Sequence, residues 1–249
     1  MAPIAINLWT VRNIIDDDLP GVLKKLADIG FVAVEPVSLL SYAPGDFRKL
    51  VEDAGLILCS TMDPGVDWTD LDRTVEDCRT LGLDTVCHGG FEPDTTFEQL
   101  KAEADRINAG IEKLASAGMC MFMHNHCGEF EATFDGRPLF DIVLELCPGL
   151  ATEFDVYWAQ AAGADPVRVV RQYAGRMTRI HLRDGPVQPK TPQVPLGQGA
   201  VDIVGCVNAT DPNVLRWVIV ELCEVEGDML DALAESYDFL INRGLAEGK

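Results

Sequence analysis

Histidine is scarce in this chain, with four in 249 residues, and acidic residues outnumber basic ones 40 to 20. The formal charge of −20 and a pI near 4.4 argue against nucleic-acid phosphates or anionic membranes as partners, since those are bound by basic surfaces. No apolar run approaches the roughly 18 residues of a membrane-crossing helix. Met1-Ala-Pro-Ile-Ala-Ile6 lacks the charged leading segment of a secretion signal. The eight cysteines include no C-x-x-C pair, and many sit inside apolar runs. They read as small hydrophobes in a reducing compartment, so neither disulfides nor a thiolate zinc site is expected, and the cytoplasm is the expected location. Aromatics make up 7% against 47% hydrophobic residues, which points to an aliphatic α/β core. No low-complexity tract or linker divides the chain, so residues 1–249 are expected to form a single domain.

What is present centres on one stretch, Met119-Cys-Met-Phe-Met-His-Asn-His-Cys-Gly-Glu-Phe-Glu131. A short apolar run bounded by Gly118 reads as a strand buried on both faces. Alternate strand residues share a face, so His124 and His126 are expected to aim the same way and Asn125 the opposite way. Glu129 and Glu131 follow at once. Histidines at this spacing, with carboxylates beside them, look more like a site than a pair of core residues.

Similar runs recur along the chain. Strands are expected at Ile4–Trp9, Phe31–Val37, Leu56–Thr61, Asp84–Gly90, Leu150–Asp155, Met177–Arg183 and Trp217–Cys223. Between them lie helical segments with recognisable starts and stops. Asp16–Asp18 and Pro20 open the first, which Gly30 closes, and Asp46–Ala54 stops at Gly55. Thr69–Asp72 opens the next, which ends near Gly82. Thr96–Ala117, Leu139–Cys147, a helix opened by Asp165-Pro166, Ala200–Ala209 and Met229–Arg243 complete the set. A turn is expected at Asp135-Gly136, and a loop rich in Pro, Gln and Gly spans Gly185–Gly199.

Eight strands alternating with helices is the count of a (β/α)8 TIM barrel. A doubly wound sheet would need a glycine-rich turn after its first strand, and Asn7-Leu-Trp-Thr-Val-Arg12 has no glycine. All four histidines (His88, His124, His126, His181) fall at C-terminal ends of expected strands. The carboxylates Glu35, Asp155 and Glu221 do the same. In a barrel these ends form a single rim, where active sites are built.

Taken together, Gly30-Phe-Val-Ala-Val-Glu35, His124-Asn-His-Cys-Gly-Glu-Phe130, Phe154-Asp-Val-Tyr-Trp158, Ile180-His-Leu-Arg-Asp184, Gly197-Gln-Gly-Ala-Val-Asp202 and Val220-Glu221 resemble the sugar phosphate isomerase/epimerase superfamily, the xylose isomerase-like barrels. The resemblance implies one divalent metal held by His124, Asp155, His181 and Glu221, with Glu129 as the alternative first ligand because many relatives carry a glutamate where this chain has His124. Mixed imidazole and carboxylate donors suit Mn²⁺, the metal most expected, or Co²⁺, Zn²⁺ or Fe²⁺. The implied chemistry is proton abstraction α to the carbonyl of a keto-sugar or related polyol through a metal-stabilised enediolate, with His126, Glu129 and Glu221 as acid/base groups. Isomerisation or epimerisation is the first reading. The alternative is a lyase, a dehydratase or a C-glycoside deglycosidase acting on a 3-keto-glycoside with a small partner subunit, because a histidine base on strand five is similar to those branches. Homo-oligomers are common among such barrels and one is expected here. The superfamily also contains apurinic-site endonucleases, which need a basic face this chain lacks. A non-enzymatic sugar-binding barrel stays open.

Four residues are expected to contact substrate: Glu35, His88, Trp158 and Arg183, with rim anchoring as the alternative for Glu35 and His88. Asp184 is expected either to orient His181 or to cap a loop. Gly197-Gln-Gly199 ahead of a helix has the form of a weak anion site.

Overall fold

Eight parallel strands form one curled sheet in the computed structural model, which describes residues 1–91, 95–188 and 191–249. They are β1 (Ile4–Asn7), β2 (Ala33–Glu35), β3 (Ile57–Leu58), β4 (Thr85–Cys87), β5 (Cys120–His124), β6 (Ala151–Asp155), β7 (Met177–Leu182) and β8 (Trp217–Val220). Their order around the sheet is β3-β2-β1-β8-β7-β6-β5-β4. Among the described residues β3 and β4 share no ladder; a hydrogen bond from Val66 N–H to the Cys87 carbonyl (3.0 Å) crosses that seam. The strands alternate with α1 (Leu19–Ile29), α2 (Pro44–Asp53), α3 (Leu71–Leu81), α4 (Phe97–Ser116), α5 (Leu139–Leu146), α6 (Pro166–Tyr173), α7 (Ile203–Asn208) and α8 (Met229–Asn242). The architecture is that of a (β/α)8 barrel.

Local chemistry sets the helix starts. Asp18, Asp70, Asp165, Asp202 and Asp228 each accept a backbone N–H of the first turn, and Thr96 with Gln99 forms a reciprocal box. Such caps contribute about 1 kcal/mol each. The inner face of α1 buries Val22, Leu23 and Leu26 against the sheet, worth about 1.5–3 kcal/mol per side chain.

The strands are shorter than their apolar runs suggest. Residues beyond Asn7, Glu35, Leu58, Cys87 and Val220 leave the ladder and turn into the rim. Asp135-Gly136 is the tip of a small hairpin, Thr133–Phe134 with Arg137–Pro138; φ values of +51° and +74° there fit the twist of a tight hairpin. Of the Pro- and Gln-rich loop, residues 189–190 lie outside the described residues.

The two-residue strand period sorts the side chains. One parity faces outward: Phe154 packs on Phe130 and Phe140 beneath the helices. The other parity fills the barrel. Ala5, Ala33, Cys59 and Ile219 form an inner layer, and the small volumes of Ala5, Ala33 and Cys59 leave room for Arg179, which is fully buried. Its guanidinium donates to Thr85 Oγ1 (2.9 Å), Thr178 Oγ1 (3.1 Å) and the Cys59 carbonyl (3.3 Å) and lies 4.5 Å from the Phe122 ring centroid. Two residues further along, Asn7, Glu35, His181 and Glu221 form the layer at the rim. Strand register completes the placement: His124 lies opposite Glu153, Glu153 opposite Arg179, and Asp155 opposite His181.

Candidate active site

His181 is the centre of the rim layer. Its Nδ1 lies 2.9 Å from Glu221 Oε2 and its Nε2 lies 2.8 Å from Glu35 Oε2, all buried. Asn7 Nδ2 (2.7 Å) and the Ser60 hydroxyl donate to the Glu35 carboxylate and fix it. Burial alone would raise the Glu35 pKa, yet the charge of and hydrogen bond from His181 hold it down at about 2. His181 responds in the opposite sense: burial would favour its neutral form, and the carboxylates Glu153 and Glu35 push its pKa well up. The ring therefore stands as an imidazolium between carboxylates.

His124 stands 4.7 Å from the His181 ring and 4.8 Å from His126, centroid to centroid. Burial, with the adjacent charge of His181, drives its pKa well down, so it is neutral and presents a lone pair. Arg183 completes the group. Its Nε donates to Asp155 Oδ2 (2.6 Å), Nη2 pairs with Glu221 Oε2 (2.6 Å), and Nη1 approaches Cys223 Sγ (2.7 Å). Burial would raise the Glu221 pKa, but Arg183 lowers it. For Asp155 burial wins over Arg183 and the pKa rises. Asn125 aims away from the histidine pair, as the strand period requires, and clamps the Asp155 backbone at both N–H and C=O.

Ligand atoms of His124, Asp155 and His181 lie within 4.8 Å of one another, and those of Glu35, Glu153 and His181 do so independently. Two imidazoles and a carboxylate, with Glu221 beside them on His181, form a donor set of the kind that holds a borderline or hard divalent cation. A cavity of about 370 Å³ opens above it, lined among others by Trp9, Met62, His126, Trp158, Arg183 and Glu221, at the small end of ligand pockets. A larger cavity of about 760 Å³ lies elsewhere, between the Pro186–Ala200 loop and α8. It gathers Glu226, Asp228, Asp231 and Glu235 without a histidine, whereas the smaller one borders the histidine and carboxylate cluster.

The family profile described as "Xylose isomerase-like TIM barrel" matches residues 23–243. This chain belongs to that family. Inosose dehydratase of Geobacillus kaustophilus (strain HTA426) is 28% identical over 207 residues, 68% of this chain and 66% of that enzyme, just under two thirds of its length. A sugar phosphate isomerase/epimerase structure from Parabacteroides distasonis ATCC 8503 superposes with a TM-score of 0.82 at 20% identity, covering 99% of this chain and 100% of that one. An L-ribulose 3-epimerase structure gives 0.71 at 20% identity, covering 98% and 95%. The xylose isomerase-like fold thus has both epimerase and dehydratase neighbours.

Within this xylose isomerase-like barrel the expected residues divide into those brought together and those held apart. His124, Asp155, His181 and Glu221 converge, with Arg183, Trp158 and the exposed His126 around the cavity. Glu35 sits below them, fully buried against His181, without a face on the cavity. Glu129 is placed outside both ligand groups: its carboxylate accepts the backbone N–H of His126 (2.9 Å) and of Phe91 (3.0 Å). His88 points away from the cavity, a correction to its expected substrate contact. It follows Cys87, whose side chain takes the inward parity, so its ring lies between Trp68 and Phe91 with Nε2 3.0 Å from Glu103. Asp184 does not orient His181, whose acceptors are Glu35 and Glu221. Its carboxylate instead takes the backbone N–H groups of Gly185, Gly197, Gly199 and Val201. The Gly197-Gln-Gly199 turn therefore binds an anion, but that anion is the protein's own Asp184. Asn7, Ser60, Glu153, Arg179 and Cys223 take part without having been singled out from the sequence.

Among the described residues no helix is long and apolar enough to cross a membrane.

Proposed function

We propose that the chain is a divalent-metal-dependent enzyme that removes the proton α to the carbonyl of an unphosphorylated keto-polyol and expels a β-hydroxyl as water. The observation that carries this reading is the convergence of His124, Asp155, His181 and Glu221 beneath one small cavity. His124, Asp155, His181 and Glu221 would hold the cation, with Mn²⁺ the first candidate, and it would supply Lewis-acid polarisation of a carbonyl that acidifies the adjacent C–H. The remaining work belongs to side chains. His126 is the base, and returns the proton it takes to the departing β-hydroxyl so that it leaves as water, because its ring is exposed at the cavity, whereas Glu129 is committed to backbone amides and Glu221 to His181 and Arg183. Arg183 and Trp158 orient the substrate's hydroxyls and ring face. The dehydratase relative supports elimination, as does the presence of one free base, since inversion at carbon by proton transfer employs bases on both faces.

Epimerisation is the second reading, favoured by Glu221 lining the same cavity as His126, where it becomes a second base once Arg183 releases it. Incubation of metal-loaded protein with keto-inositols and keto-hexoses in deuterated water decides the matter. Loss of water with deuterium at the carbon that lost the hydroxyl, where the enol product is reprotonated, supports elimination; deuterium at the α-carbon with no loss of water and an inverted centre supports epimerisation. If the purified or reconstituted protein takes up no divalent metal, the reading fails.

A further inference from the structure

Glu153 is fully buried, and neither carboxylate oxygen has a hydrogen-bond partner among the described residues. An acceptor left unpaired in a dry interior costs several kcal/mol, so its surroundings carry information. Oε1 lies 3.2 Å from His181 Nε2 and 3.4 Å from His124 Nδ1. Oε2 faces Arg179 Nε at 3.9 Å. His124 Nδ1 is itself sealed from solvent without a partner, while His124 borders the cavity. An orphan acceptor therefore faces an orphan ring nitrogen across neighbouring strands, where register sets His124 directly opposite Glu153.

Metal-ligating histidines donate their second ring N–H to an acceptor that fixes tautomer and ring orientation. We propose that Glu153 is a positioning residue shared by both histidines of the ligand set: Oε1 takes the Nδ1–H of His124 and backs the Nε2–H of His181. His124 Nε2 and His181 Nδ1 are then the nitrogens presented to the cation. Arg179 stands behind Oε2, its Nε 3.9 Å away, itself held by Thr85, Thr178 and the Phe122 ring. The assignment rests on the metal-binding reading above, and it adds a second layer that the ligand residues alone do not supply.

The test is Co²⁺ titration of the metal-stripped full chain, followed by visible absorption and equilibrium dialysis, for wild type, Glu153→Gln and Glu153→Met. Co²⁺ affinity is expected to fall roughly 10–100-fold in Glu153→Gln, further in Glu153→Met, with a shifted d–d band as the histidines lose their fixed orientation. A merely structural role would lower the melting temperature of both variants and leave band and affinity unchanged. Affinity within twofold of wild type in both variants overturns the assignment. Two Co²⁺ per wild-type chain with one lost in Glu153→Gln also overturns it, making Glu153 a ligand. Should Glu153→Gln not fold, Glu153→Asp keeps the carboxylate and is expected to bind with intermediate affinity; binding equal to wild type counts against the proposal. A wild type that takes up no Co²⁺ overturns the metal reading itself, an outcome distinct from unchanged variants.

Discussion

Asp155 Oδ2 accepts from Arg183 Nε at 2.6 Å, and the same guanidinium reaches Glu221 Oε2 at 2.6 Å. One arginine thus neutralises both carboxylates of the expected ligand set, and a divalent cation must share those oxygens with it. Removing one partner of a buried ion pair leaves the other charged and unpaired, at a cost of about 3–5 kcal/mol. Arg183→Met is therefore expected to destabilise the metal-free protein by that order. Mn²⁺ should bind it about tenfold more tightly than wild type, or about 1.4 kcal/mol. Melting curves with and without Mn²⁺ read both effects. A smaller Mn²⁺-induced rise in Arg183→Met than in wild type would show that Arg183 helps to hold the metal.

Asp184 and Gly199 form a second, non-catalytic unit. Four backbone N–H groups converge on the Asp184 carboxylate, and a Cβ at Gly199 would stand 2.2 Å from its Oδ1 and 2.3 Å from the Gly185 nitrogen. Asp184→Ala leaves those donors without their acceptor, at about 1–3 kcal/mol for each that water does not reach. Both Asp184→Ala and Gly199→Ala are expected to lower unfolding free energy by several kcal/mol without changing metal stoichiometry, checked by urea denaturation and elemental analysis. Loss of the metal from folded Asp184→Ala would return Asp184 to the ligand environment.

The barrel was legible because each strand carries a compact apolar run and most of the helices begin at a capping carboxylate or hydroxyl. The rim was legible because Glu35, His124, Asp155, His181 and Glu221 are polar residues ending such runs. Glu153 and Arg179 were hidden by the same logic: they lie mid-strand, where a charge reads as an exception. Counting back by two from Asp155 and from His181 would have found them, since that parity faces the barrel interior. His88 misled because one residue of strand register decides whether a side chain faces the cavity or the helices. Hydrogen-bond competition is not written in sequence either. Only the fold shows that Asp184 is taken up by its own loop and Glu129 by the N–H of His126.

The Glu35–His181 pair makes the metal-free protein pH-sensitive in two directions. Glu35, at about 2 against an ordinary 4.5, contributes stability that is full above 4.5 and drains as pH falls toward 2. His181, raised above 6.5, contributes stability that is full below 6.5 and drains as pH climbs through its folded value. The pair is thus at full strength between roughly pH 4.5 and 6.5. Glu35→Gln should cost on the order of 3 kcal/mol there, and the gap from wild type should narrow toward pH 3. Urea midpoints across that range test it; a gap that widens as pH falls contradicts the assignment.

His126 is exposed beside the cavity, 4.8 Å from His124 and 6.4 Å from Trp158 by ring centroids, and its backbone N–H is held by Glu129. If it is the base, His126→Ala should keep the metal and the fold while slowing α-proton exchange into solvent by about 10²–10⁴-fold. His124→Ala should instead lose the metal. Glu129→Gln should retain metal and show a smaller loss, because the loop that aims His126 loosens while the imidazole remains. Deuterium exchange on the three variants, each with its metal content measured, separates these roles. Full exchange in His126→Ala would move the base to Glu221, and Arg183 would then have to release Glu221 Oε2 for turnover, so exchange in that case should speed up in Arg183→Met.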